Sequence, residues 1–341
     1  SFPTDALPIS NVVSPGNIGV VGASGTGIQE VTTIIDRLGG GVVHAIGTGG
    51  RDLSDKVGAI TVKDAIVALE NHEPTDVITV ISKPPAKEVR DEVVELLQSI
   101  SKPVVAIFLG EKPTSHEGKV YLAHTLEETA KIAVDLANDV AVKKNYFEAL
   151  AKPAVPTLPE DKVVKGLYSG GTLASEAGML ISEALDLGGL VKAEGYVLKS
   201  HGYEVIDLGD DMYTQGRPHP MIDPDVRIEK IREYAQDEKT GIILFDVVLG
   251  YGAHEDMVGA LLPAIEEARA TAKEAGRDLY FVATVCGTTK DPQNYQSSVD
   301  RLKEGGVLVA ESNAKAVQLA LLLKGIEISE DDKEVVAYKG P

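Results

Sequence analysis

The chain has 341 residues, 43% of them apolar and only 5% aromatic, with 34 glycines, no Trp and a formal net charge of −19. That charge excludes the electrostatic footprint of a nucleic-acid binder and disfavours an anionic membrane surface, and no apolar run reaches the length of a membrane span. The single cysteine, Cys286, excludes an internal disulfide, and Ser1-Phe-Pro-Thr4 lacks the basic start and apolar core of a secretory signal, so the expected compartment is the cytoplasm.

Residues 1–15 carry three prolines and no periodicity and read as a connecting arm. From Asn17 an apolar strand over Ile18–Val21 runs into the turn Gly22-Ala-Ser-Gly-Thr-Gly27, after which Ile28, Val31, Ile34, Ile35 and Leu38 recur at helical spacing. A helix start with small residues ahead of it can hold an anion on its first N–H groups without a charged side chain. Gly39-Gly-Gly41 stops that helix. Val42–Ile46 is the next strand, with Gly47-Thr-Gly-Gly50 as its loop. A helix from about Val62 to Glu70 and the strand Val77–Ile81 follow; past Pro84-Pro85 comes a helix carrying Val89, Val93, Leu96 and Leu97. Val104–Leu109, Val120–Leu122 and a helix from Leu126 to about Val140 complete a doubly wound domain over 16–150.

Lys152-Pro-Ala-Val-Pro-Thr-Leu-Pro159 is a semi-rigid linker, which sets the domain boundary at 151–162. The second half, 163–330, repeats the plan. Lys165-Gly-Leu-Tyr-Ser-Gly-Gly-Thr172 is again strand, glycine turn and helix, and Glu204–Leu208, Ile242–Val248, Leu279–Val285 and Val307–Ala310 are the later strands. Helical patterns lie near Pro224–Ala235, Asp256–Ala275, Gln296–Glu304 and Ala314–Leu323, and Pro263 implies a late start or a kink in the second of these. The expected fold is α/β, two flavodoxin-like doubly wound parallel-sheet domains, with ligands beyond the carboxyl ends of the strands.

Neither glycine turn has P-loop spacing or a clean dinucleotide fingerprint, and glycines there also serve close helix–strand packing. Their recurrence at strand ends points to function: Gly47–Gly50, Gly209-Asp-Asp211, Gly250-Tyr-Gly252 and Gly287-Thr-Thr289. Ser24, Gly25 and Thr26 at one helix start, and Gly250, Tyr251, Gly252 and Ala253 before another, offer two sets of N–H donors for one phosphate. The loop Asp207–Pro224 packs four acids, Arg217 and His219 among prolines. In it Asp210 and Asp211 are candidates for Mg²⁺, and Arg217 for a carboxylate or phosphate; the alternative is carboxylates that cap the following helix, with Arg217 paired to one of them. Of the seven histidines none has zinc-ligand spacing, and His116, His124, His219 and His254 fall at strand ends or loops where an acid, base or phosphoryl carrier would stand. A solvated or structural role is the alternative for each, and Cys286 reads as buried and inert.

Asn17-Ile-Gly-Val-Val-Gly-Ala-Ser-Gly-Thr26 and Ile46-Gly-Thr-Gly-Gly50 resemble the α-subunit ligase domain of the succinyl-CoA synthetase superfamily of NDP-forming acyl-CoA synthetases, and the second half resembles the β-subunit ligase domain. Gly166-Leu-Tyr-Ser-Gly-Gly-Thr-Leu173, Asp207-Leu-Gly-Asp-Asp211, Gly216-Arg-Pro-His-Pro-Met-Ile-Asp-Pro224 and Asp246-Val-Val-Leu-Gly-Tyr-Gly252 resemble its FdrA branch. The resemblance implies that two helix N-termini, at Ser24–Thr26 and Gly250–Ala253, bind a phosphate carried by a histidine. His124 lies near that histidine's place, in Lys119-Val-Tyr-Leu-Ala-His-Thr125 rather than the family's Gly-His-Ala-Gly. A family glutamate that steadies the histidine would fall near Lys83, where no acid stands. The family's ATP-grasp region and preceding CoA-binding domain are expected to be missing, so CoA enters only through a separate or absent N-terminal domain.

The expected function is a subunit or fragment of an FdrA-type acyl-CoA synthetase handling phosphate or a phosphoryl donor. The alternatives are an oxamate carbamoyltransferase subunit of purine-nitrogen breakdown and a non-catalytic scaffold. His124, Arg217 and His219 are the expected catalytic residues. Asp210, Asp211, Asp246, Gly49, Gly50 and Thr288 are expected in the surrounding site loops. A small-molecule substrate, other enzyme subunits and an oligomer are the expected partners, with no nucleic acid and no membrane.

Overall fold

The structure is a computed structural model that describes residues 10–83, 85–191 and 193–336; of the expected arm, residues 1–9 lie outside the described residues. The chain divides into two compact units, Val13–Glu148 with Ser329–Pro341, and Ser1–Val12 with Ala149–Ile328. In chain order the first holds β1 (Pro15–Gly22), α1 (Gly25–Arg37), β2 (Val42–Gly47), α2 (Ile60–Asn71), β3 (Val77–Ser82), α3 (Lys87–Ser99), β4 (Val104–Phe108), β5 (Ser115–Glu117), β6 (Val120–Ala123) and α4 (Leu126–Ala137). The second holds β7 (Val163–Tyr168), α5 (Gly171–Leu185), β8 (Tyr196–Ser200), β9 (Tyr203–Asp207), α6 (Asp211–Thr214), α7 (Asp225–Gln236), β10 (Thr240–Val248), α8 (Met257–Glu274), β11 (Tyr280–Cys286), α9 (Tyr295–Glu304), β12 (Leu308–Ala310) and α10 (Asn313–Leu323). The chain then returns to the first unit as β13 (Glu334–Val336).

Among the described residues the first sheet has seven strands in the order β13-β5-β6-β4-β3-β1-β2, and the second has six, in the order β12-β11-β10-β7-β9-β8. Each contains five parallel strands in flavodoxin order: β2-β1-β3-β4-β6 in the first unit and β9-β7-β10-β11-β12 in the second. The order reverses at β1/β3 and at β7/β10, which places a ligand crevice outside the carboxyl ends of those strands. β3 is buried along its whole length, and so is β10, because helices cover both faces of a parallel sheet and both strands read as continuous apolar runs. Leu69, Val80, Leu97 and Phe108 pack in the first core; Phe245, Ile265 and Phe281 pack in the second.

The short edge pieces β5, β8, β13 and α6 have no counterpart in the sequence reading, since three to five residues carry too little periodicity to register. Pro263 does not delay α8, which begins at Met257 and runs through it. Proline removes one helical hydrogen bond there, and the buried face of Leu261, Ala264, Ile265 and Ala268 holds the helix together across the gap.

Candidate functional site

In the first unit β1 delivers the chain to Ser24, the extended N-cap of α1. The first helical bond runs from Ile28 N–H to Ser24 O at 3.1 Å, so the N–H groups of Gly25, Thr26 and Gly27 lie ahead of it. A Cβ at Gly25 would meet nothing within 4 Å, which makes this turn open space. Gly49 is left-handed at φ 81°, and a Cβ at Gly50 would lie 3.8 Å from Lys83 Nζ and 3.9 Å from Ala23 O. Lys83, just past β3, thus reaches over the ends of β1 and β2, and among the described residues it has no ion-pair partner. Asp52 fixes the loop beyond by accepting from Thr61 N at 3.0 Å and Val62 N at 2.9 Å, with buried Ala59 held left-handed at φ 56°.

His124 sits buried at the end of β6, beside the α4 N-cap Thr125, whose hydroxyl accepts from Glu128 N at 3.1 Å. Its ring Nδ1 lies 2.9 Å from Glu330 Oε1, and its backbone N–H donates to Glu128 Oε2 at 2.8 Å. Glu128 pairs in turn with the buried Lys333. Burial pushes the Glu330 carboxyl up, but the hydrogen bond and charge of His124, with Lys333 and Lys112, outweigh it and hold the group below the usual carboxylate range. Glu330 is therefore ionised and accepts, and the bond assigns the proton to His124 Nδ1. The family glutamate would fall near Lys83, where no acid stands; the carboxylate beside His124 belongs to Glu330, 206 residues along the chain. No spacing in the sequence announces it. His116 is of another kind: burial first, then the charge of Lys333, pushes its pKa down to about 4, and its Nδ1 accepts from Leu122 N at 3.0 Å as a neutral structural acceptor.

In the second unit Asp246 is not a loop residue but a fully buried member of β10. Its Oδ1 accepts from Ser169 N at 2.9 Å and Arg227 Nη2 at 3.0 Å, and its Oδ2 accepts from Ser169 Oγ at 2.7 Å. A charge so deep in the sheet needs these partners, which is why it is unavailable to a ligand. His219 stands nearby: a Cβ at Gly209 would lie 2.9 Å from His219 Nε2 and from Ser169 O, and 3.1 Å from Asp207 Oδ1. Burial, with the charge of Arg227, lowers the His219 pKa against the opposing pull of Asp246, so its ring favours the neutral form, and its Nδ1 accepts from Met221 N at 3.2 Å. Arg217 pairs with Glu229 at 3.0 Å, with both side chains about half exposed. Asp210 Oδ1 caps α6 by accepting from Met212 N at 3.0 Å, and Asp211 is the first residue of that helix. Among the described residues no group of three or more His, Cys, Asp or Glu is placed to hold a metal ion.

Gly250, Tyr251, Gly252 and Ala253 do not open a helix: α8 starts at Met257 under the Asp256 cap, which accepts from Gly259 N at 2.9 Å. The turn is tied internally. Gly250, at φ 123°, donates its N–H to Gln293 Oε1 at 3.0 Å, and its carbonyl accepts from Gln293 Nε2 at 2.9 Å. Tyr251 N–H donates to Ser10 O at 2.8 Å, and Ala253 N–H to Gly250 O at 3.3 Å. Thr288 is buried after β11; its hydroxyl donates to Val12 O at 2.6 Å, and Asp291 accepts from Thr288 N at 2.8 Å and Val12 N at 2.7 Å. Residues 10–12 are thereby stapled beside the Gly250 turn.

Residues 167–323 match the CoA-ligase family and residues 13–110 match the CoA binding domain family. The expectation that a CoA-binding domain is missing is thus overturned. A parallel βαβ unit with a glycine turn serves both kinds of domain, so strand and helix spacing did not separate them. The uncharacterized protein YahF of Escherichia coli (strain K12) is 39% identical over 337 residues, which cover 94% of this chain; the chain spans 65% of that relative's length. Two solved structures align more weakly. PH0766 from Pyrococcus horikoshii OT3 shares 14% identity at a TM-score of 0.32, over 93% of this chain and 65% of its own. The dinucleotide forming acetyl-coenzyme A synthetase 1 of Ca. Korarchaeum cryptofilum shares 12% at 0.33, over 92% and 65%. Likenesses at those scores carry no argument about function. No helix among the described residues is long and apolar enough to cross a membrane. The chain is thus similar to CoA binding domains over residues 13–110 and to CoA-ligase domains over residues 167–323.

Proposed function

We propose that this chain is an FdrA-type, acyl-CoA synthetase-like enzyme that binds a phosphate or phosphoryl group at the carboxyl ends of β1, β2 and β3. The observation that carries the reading is Lys83 Nζ lying over Gly50 and Ala23 O, beside the open first turn of α1. A lysine and a helix N-terminus together favour an anion, and glycine lets it approach the backbone. CoA fits the same place: Ser24, Gly25, Thr26, Gly49, Gly50 and Lys83 would hold its phosphates, and its thiol would carry the acyl group. In this reading His124 accepts the phosphoryl group, while His219, beside Asp207, serves as an acid or base in the second unit. Arg217 would bind substrate only by leaving Glu229, and no step is assigned to Mg²⁺. Further subunits and oligomerisation belong to the proposal.

Calorimetric titration of the full chain with CoA and with inorganic phosphate tests it. Charge reversal in Lys83→Glu is expected to weaken binding by at least about tenfold, the size of a lost charge-assisted hydrogen bond. Wild-type affinity in that variant would refute the site. A second reading, carbamoyl transfer between oxamate and phosphate, is favoured by Lys83 standing where the family resemblance expects a glutamate, because a lysine suits the oxamate carboxylate. Formation of carbamoyl phosphate that depends on both compounds would decide for it.

A further inference from the structure

Glycine at one position of β1 brings two histidines together at the edge of the first sheet. Among the described residues β2 is the outermost strand on that side, and it holds His44 opposite Gly19. A Cβ at Gly19 would lie 2.8 Å from Leu69 Cδ2 and 2.9 Å from Thr75 Cγ2, so the bare backbone lets the end of α2 settle onto the sheet. His72, the C-cap of α2, then comes against His44: the ring centroids lie 4.6 Å apart, with the planes at 60°. The backbone of His72 is pinned, because its carbonyl accepts from Lys102 Nζ at 2.6 Å and from Thr75 N at 3.0 Å. Its ring is pinned too, with Nδ1 2.9 Å from the hydroxyl of the buried Thr75. His44 is exposed and His72 half-buried, so core packing does not account for the pair. Among the described residues no side chain is hydrogen-bonded to His72 Nε2 or to either ring nitrogen of His44.

We propose that His44 and His72 form a binding site for a divalent transition ion of the Cu²⁺, Ni²⁺ and Zn²⁺ class, with water completing the coordination shell. Imidazole nitrogen suits these ions, whereas Mg²⁺ and Ca²⁺ favour oxygen. Two imidazoles that share one ion through bonds of ~2.0–2.1 Å have their centroids about 4.5–5.2 Å apart at angles from square to tetrahedral, and the spacing of this pair falls in that range. The contact of Nδ1 with Thr75 is the outer hydrogen bond that ligating histidines make, and it leaves Nε2 as the ligand on a ring already held in place. Two protein ligands rather than three keep the ion partly hydrated. His72 and Thr75 stand at the amino end of β3, whereas the phosphate reading concerns the carboxyl ends of β1, β2 and β3, so the ion site is separate from it.

Calorimetric titration of the full chain with nickel chloride, and the EPR spectrum of Cu²⁺ added at one equivalent, test the site. Wild type is expected to take up Ni²⁺ and to give a Cu²⁺ spectrum split by two imidazole nitrogens. Thr75→Val keeps the shape but loses the hydroxyl, and is expected to weaken Ni²⁺ binding by about tenfold to hundredfold, the range for losing an outer partner of a ligating histidine. His44→Ala and His72→Ala each remove a ligand outright and are expected to weaken it by more, with the second nitrogen lost from the spectrum. His44 is exposed, so His44→Ala folds even if the variants at His72 and Thr75 do not. Wild type that takes up no Ni²⁺, or His44→Ala that binds it with wild-type affinity, would overturn the site; the second result would assign the ion to other histidines.

Discussion

The two units share one strand order yet furnish their glycine turns in opposite ways. At Ser24–Gly25 the first turn of α1 faces open space, and the nearby Lys83 has no ion-pair partner among the described residues. At Gly250–Ala253 the turn is tied by Gln293 and by Ser10, and the helix it precedes has its own cap in Asp256. In the charged centre of the second unit, the Asp246 carboxylate is likewise taken up, by Arg227 and by the backbone and hydroxyl of Ser169. A glycine turn at a strand end is therefore a place where a ligand fits, and whether it is open depends on which other segments of the fold come to rest there.

The sharpest way to break the contrast is to unpair the closed centre. Asp246→Ala leaves Arg227 buried without its charge partner and is expected to destabilise the chain by about 3–5 kcal/mol, read from denaturant unfolding. Replacing both residues with apolar ones of similar volume is expected to recover much of that loss. Next comes the histidine in the first unit that is structural. His116 is held neutral with a pKa near 4 against the ordinary 6.5, so the unfolded chain binds its proton first. The stability it contributes is complete above pH 6.5 and is lost progressively as pH falls toward about 4. Thermal unfolding across that window should show the decline, and His116→Gln should flatten it. The smallest effects separate the two turns directly. Gly250→Ala must adopt φ 123° with its Cβ 2.6 Å from Ser10 O, and is expected to cost about 1–3 kcal/mol. Gly25→Ala points into open space and is expected to stay within about 0.5 kcal/mol of wild type. Equal melting temperatures for the two variants would erase the distinction between an open and a tied turn.

Much of this molecule was legible in the sequence because parallel α/β sheets advertise themselves: β3 and β10 are continuous apolar runs, and α1 and α4 carry their buried faces at helical spacing. Glycine marked both turns, and the loop Asp207–Pro224 stood out by its density of acids and prolines. The sequence could not tell that Asp246 is consumed by Arg227 and Ser169, or that Arg217 goes to Glu229. Nor could it place Glu330 on His124, because that contact joins residues 206 apart and neither position belongs to a periodic pattern. Local propensity and hydrophobic period act over a few residues and specify elements. The partner of a buried charge is chosen by chain segments that meet only when the whole fold closes, and the tertiary structure alone decides which histidine receives a carboxylate and which glycine turn stays open.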